Sequence, residues 1–90
     1  MKKAIITVTG ADHPGIIAAV AQALARLNVN IVNVSQTLMD QYFTMIMQLE
    51  FDDSQRSISE IQAAMDAVSV AQALLIHVQA EELFTAMNKL

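Results

Sequence analysis

The sequence predicts an α+β sandwich: a four-stranded antiparallel sheet, two long helices on one of its faces, and a short C-terminal helix. Three observations lead there. Apolar residues alternate with period two along three segments, and a fourth is rich in β-branched residues, as half-buried strands require. Two further segments repeat their apolar residues at helical spacing instead. Both glycines and the single proline of the chain fall within Gly10-Ala11-Asp12-His13-Pro14-Gly15, so the special backbone chemistry is concentrated in one turn. The resulting order, β-α-β-β-α-β, is the ferredoxin-like or split βαβ arrangement.

In the first strand, Ala4, Ile6 and Val8 face one way and Ile5, Thr7 and Thr9 the other. Gly10 ends this run, and Pro14 opens a helix over Ile16 to Leu27. Proline suits a first helical position, where its missing N–H costs nothing. Gly15 is expected to permit a close approach of backbone at the helix entrance. Ile16, Ile17, Val20, Leu24 and Leu27 form the apolar face, alanines fill most of the remainder, and Asn28 supplies the stop.

Asn30 to Asp40 follows as a second strand, rich in Ile31, Val32, Val34 and Thr37. The polar pair Asp40-Gln41 then joins it to a third strand, forming a hairpin without a turn glycine. In that third strand Phe43, Met45, Met47, Leu49 and Phe51 alternate with Tyr42, Thr44, Ile46, Gln48 and Glu50. Ser57-Ile58-Ser59-Glu60 matches a capping box at the start of the second helix, whose Ile58, Ile61, Met65 and Val68 share a face. A fourth strand runs from about Ala73 to Gln79, with Leu74, Ile76 and Val78 on one side. Leu83, Phe84, Met87 and Leu90 stripe a terminal helix that needs a surface to dock on.

Ninety residues make one expected domain, spanning 1–90, with a core small enough to gain from self-association. The composition is 54% apolar, yet no run approaches the ~20 residues of a membrane span. The N-terminus lacks the long apolar stretch of a signal peptide, and with no cysteine the cytoplasm is the expected compartment. A net charge of −4 and five scattered Lys and Arg residues argue against nucleic acid as partner, and no membrane partner is expected either. The outer sheet face (Ile5, Thr7, Thr9, the Tyr42–Glu50 alternates, Leu75, His77 and Gln79) is weakly charged, so self-association is expected there, at a free sheet edge or under the terminal helix.

The strand-to-helix turn is the one candidate site. The first N–H groups of a helix lack intrahelical partners and sit at the positive end of its dipole, so they can receive a carboxylate or another anion. His13 at a helix start beside Asp12 also allows a histidine phosphocarrier-like reading. Such proteins place an arginine soon after the histidine, whereas here Pro14-Gly15-Ile16 follows and the first arginine is Arg26. No metal, cofactor or catalytic constellation is read from the remaining residues.

The stretch Thr9-Gly10-Ala11-Asp12-His13-Pro14-Gly15-Ile16-Ile17-Ala18-Ala19-Val20-Ala21, followed by Leu24-Ala25 and Asn30-Ile31, resembles an ACT domain. The resemblance implies a small non-enzymatic regulatory module, most like the stand-alone ACT proteins, that binds an amino acid or similar metabolite between two subunits. It implies that Gly10, Asp12, Gly15 and Ile16, with the adjoining Pro14, form the ligand loop and that Asn30 and Ile31 open the second strand beside it. His13 occupies a position at which the family varies. With no catalytic or DNA-binding partner domain in this sequence, such a module is expected to act on another protein in trans. A ligand-free dimerisation module is the alternative that the same fold allows.

Overall fold

A computed structural model describes residues 1–87 of the chain. The elements are β1 (Lys2–Ala11), α1 (Ile16–Arg26), β2 (Asn30–Met39), β3 (Tyr42–Phe51), α2 (Ile58–Gln72), β4 (Leu74–Ala80) and α3 (Glu81–Met87). The sheet has the order β2-β3-β1-β4, with every neighbouring pair antiparallel. This is the ferredoxin-like βαββαβ sandwich with its additional C-terminal helix. Leu90, counted in the terminal stripe, lies outside the described residues.

The core is built from the predicted faces. Ala4, Ile6 and Val8, all five odd-numbered apolar residues of β3 from Phe43 to Phe51, and Leu74, Ile76 and Val78 are buried from the sheet side. Ile16, Val20 and Leu24 of α1 meet them with Ile61 and Met65 of α2. No polar side chain is buried among the described residues, so hydrophobic burial carries the fold without internal polar networks.

The helix ends follow local chemistry. At the end of α1, Asn28 adopts φ 59°, its N–H bonds Ala25 carbonyl, and Val29 N–H bonds Leu24 carbonyl. That pair of bonds is a Schellman motif, and Val29 and Leu24, its apolar members, are both buried. Arg56 adds a cation there, its Nε donating to Leu27 carbonyl at 2.9 Å. Ser57 and Glu60 form the capping box of α2.

Two expectations change at the first turn. Gly10 does not end β1; it lies within it, paired with Phe43 and Leu74. Pro14 is not the first helical residue, because Gly15 is the N-cap of α1, at φ 91° and ψ 0°. The reason for glycine at 15 changes as well: the close approach expected there is found at Gly10. A Cβ on Gly10 would stand 2.7 Å from Leu74 Cδ2 and 3.3 Å from Ala73 carbonyl oxygen, whereas a Cβ on Gly15 would meet nothing within 4 Å. Close packing demands glycine at 10, and the left-handed backbone demands it at 15.

The outer sheet face is less open than expected. α3 packs against β1 and β4 on that side, and Glu81 accepts a hydrogen bond from Gln48. Ile5, on the same face, is buried. Tyr42, Ile46 and Leu75 stay exposed on the same face. No helix among the described residues is long and apolar enough to cross a membrane.

Candidate functional site

The topology brings the β1–α1 turn to the tip of the β2–β3 hairpin. β1 ends opposite Tyr42, the first residue after the Asp40-Gln41 turn, so the last residues of β2 must lie alongside. Asp12 N–H donates to Gln41 carbonyl at 2.7 Å and pins the turn to the tip. Asp40 takes φ 54°, a conformation that an aspartate tolerates in place of glycine.

Between turn and hairpin lies a cleft of about 340 Å³, lined by Asp12, His13, Gly15, Ile16, Ile17, Ala18, Gln36, Thr37, Leu38 and Phe43. One wall is the start of α1. Ile16, Ile17 and Ala18 are the first-turn residues of α1, whose N–H groups have no carbonyl within their own helix to bond, and Ala19 N–H bonds Gly15 carbonyl at 2.9 Å. The opposite wall is the edge strand β2, with Gln36 and Thr37 exposed. Ile17, Leu38 and Phe43 supply apolar surface. The site therefore offers first-turn N–H groups at a positive helix end, one carboxylate and an apolar floor. A molecule carrying a carboxylate, an ammonium group and a short side chain matches that set.

His13 is half-buried, with both ring nitrogens engaged. Nδ1 lies 3.0 Å from Pro14 carbonyl oxygen and Nε2 3.0 Å from Gln72 carbonyl oxygen. The hydrogen bond to Pro14, then that to Gln72, holds its pKa above the ordinary histidine value, with a smaller contribution from the Asp12 charge. A ring so placed presents no free lone pair to a phosphoryl donor, and Arg26 stands at the far end of α1. This geometry disfavours the phosphocarrier-like reading.

Of the residues that sequence reasoning placed in the site, Asp12, His13, Gly15 and Ile16 come together. Gly10 packs behind the turn against Leu74, and Pro14 contributes its carbonyl to His13 rather than a wall of the cleft. Asn30 and Ile31 lie at the opposite end of β2, opposite Glu50 and Leu49, and do not line this cleft. Asp12 does not cap α1, since the N-cap has no side-chain hydrogen bond. Ile17, Ala18, Gln36, Thr37, Leu38 and Phe43, which also line the cleft, were missed. The signal was present: in a split βαβ order the end of the first strand and the hairpin tip share one edge of the sheet.

Residues 2–79 match the ACT domain. The chain belongs to the ACT domain family. The resemblance carried by Asp12-His13-Pro14-Gly15-Ile16 is thereby borne out, and ACT domains are a regulatory domain type. A UPF0237 protein of Corynebacterium efficiens is 58% identical over 85 residues, covering 94% of this chain and 96% of that one. Among solved structures, an ACT domain protein from Streptococcus pneumoniae superposes with a TM-score of 0.81 at 35% identity, over 92% of this chain and 93% of that one. The regulatory subunit of aspartate kinase from Thermus thermophilus, at 24% identity, shares the fold. Its TM-score is 0.69, over 87% of this chain and 50% of that one.

Proposed function

We propose that this ACT protein is a non-enzymatic, cytoplasmic regulator that binds an amino acid or similar small metabolite, works as a homodimer and acts on a protein partner in trans. The cleft between the α1 N-terminus and the end of β2 carries this reading. The first-turn N–H groups of α1, at Ile16 to Ala18, receive the ligand carboxylate, Asp12 meets its ammonium group, and Ile17, Leu38 and Phe43 surround its side chain. The aspartate kinase regulatory subunit supports the reading as a regulatory chain of the same fold.

The homodimer in this reading rests on β2. Val34 and Leu38 pair with Met47 and Phe43 and so face the helix side of the sheet, yet they are 45% and 58% exposed. Among the described residues only the start of α1 stands near them, across the cleft from Leu38. A second copy laid along β2 covers these residues with Ile17, closes the cleft, and couples ligand binding to dimer geometry. A thermal-shift series with each of the twenty amino acids tests the reading. A ligand present at 100 times its Kd should add about 2.7 kcal/mol. If none of the twenty raises the melting midpoint, the ligand-free dimerisation module is the better account.

A further inference from the structure

We infer that His13 is a proton-operated latch: its imidazolium ties the β1–α1 turn to the C-terminus of α2, and loss of the proton loosens the turn that forms the cleft. The distances make the case first. Pro14 and Gln72 carbonyl oxygens each lie 3.0 Å from a ring nitrogen, and both can only accept. A neutral imidazole has one N–H, so it satisfies one of them and sets a lone pair against the other. The imidazolium satisfies both. The sequence positions make the same point. Gln72 ends α2, where carbonyls lack intrahelical partners and the dipole favours a cation, and α2 has no basic residue in its last turn.

The other long helix shows the contrast. α1 has Arg26 in its own last turn and receives Arg56 at Leu27 carbonyl, and arginine is charged at every relevant pH. At α2 the same duty falls to a histidine, whose charge a change of pH can remove. Few charges surround the ring. The turn itself brings Asp12, which favours the proton, and α2 presents only the Gln72 carbonyl at this end. Asp66, nearly two turns earlier, is held by Gln62. Among the described residues neither α1 nor the hairpin sets a charge against the imidazole.

The sign of the linkage follows from the raised pKa. The stabilisation is complete below the unfolded-state value of about 6.5 and disappears as pH rises through the higher folded-state value. The consequence for the ligand rests on the regulatory reading above, whereas the latch itself does not. Carboxylate binding at the α1 N-terminus should strengthen as the turn is fixed and a cation is held beside it.

The test uses the full chain carrying His77→Gln, so that a single imidazole titrates. Its NMR midpoint should lie above that of an unstructured histidine. Protection factors of the Asp12 and Ala19 amides, which hold the turn to Gln41 and Gly15, should fall several-fold between pH 6 and pH 8.5. In His13→Gln they should be the same at both pH values. The twenty-amino-acid melting series is repeated at both pH values, and a response seen at pH 6 should weaken at pH 8.5. A raised midpoint with pH-dependent protection, but no response to any amino acid, supports the latch and removes the ligand reading. A midpoint at or below the ordinary value, with pH-independent protection, overturns the latch whatever the amino acids do.

Discussion

At Asp12 the backbone and the side chain have separate duties: the N–H is bonded to Gln41 carbonyl, and the carboxylate is exposed at the cleft. Because Gly15 and not Asp12 is the N-cap, Asp12→Asn removes no cap, and stability should stay within about 0.5 kcal/mol. If the carboxylate meets a ligand ammonium group, the change costs roughly 1.5–3 kcal/mol of binding, or about tenfold to a hundredfold in affinity. Calorimetric titration with the best amino acid reads this directly, and equal affinities would leave recognition to the backbone. The two glycines make a matched pair of tests by urea denaturation. Gly10→Ala drives a methyl group against Leu74 and should cost about 1–3 kcal/mol by overpacking. Gly15→Val has free space but the wrong φ, so its cost, also about 1–3 kcal/mol, comes with a displaced α1 start and a lost ligand response. That glycine mattered at both positions was legible in the sequence. Which reason applied to which was not, because Leu74 and Ala73 approach Gly10 only through the β1–β4 pairing.

The elements that read most easily are those whose signals are local. Ser57 and Glu60 name the start of α2, Asn28 names the end of α1, and strict alternation fixes the buried face of β3 down to each residue. Errors appear where a boundary depends on an unusual dihedral. The start of α1 at Ile16 agrees with the sequence, but the residue that sets it is the left-handed N-cap Gly15, not Pro14 as a first helical residue. The end of α2 carries a similar device with an unsuitable residue. Ala73 is its C-cap at φ 55°, and its methyl group is exposed, so it has no packing to offset the strain. The left-handed region costs an L-residue about 1–2 kcal/mol, and glycine in its place loses roughly 0.4–1 kcal/mol to unfolded-chain entropy. Ala73→Gly should therefore raise the unfolding free energy by about 0.5–1 kcal/mol in urea, with an unchanged m-value. A loss of stability would mean that the backbone at Ala73 is relaxed.

Across the whole molecule, the two free edges of the sheet have been treated differently. On β4 the Gln62 side chain of α2 stands in for a missing strand: its Nε2 donates to Ile76 carbonyl at 3.2 Å and its Oε1 accepts from Val78 N–H at 2.9 Å. Ser69 Oγ donates to Leu74 carbonyl at the end of the same strand. That edge is closed to a partner. Among the described residues no helix side chain covers β2 in this way; its own Asn33 Oδ1 accepts from Val34 N–H at 3.2 Å, and its apolar residues Val34, Leu38 and Met39 are exposed. The sequence could not distinguish the edges, since Gln62 reads as an ordinary surface residue of a helix until β4 is placed beside it. Nor could it weigh the edge against the outer face, part of which α3 covers. The difference predicts where subunits meet. Light scattering at micromolar concentration should give twice the chain mass. Val34→Lys puts a charge on the helix side of β2, outside the cleft, where a partner's apolar surface would lie. It should yield a folded monomer, with stability changed by no more than about 0.5 kcal/mol at so exposed a position. Leu75→Lys, on the outer face of β4 at 77% exposure, should remain a dimer. The opposite result, a Val34→Lys dimer and a Leu75→Lys monomer, would move the interface to the outer face and leave the cleft open to solvent in the assembled protein.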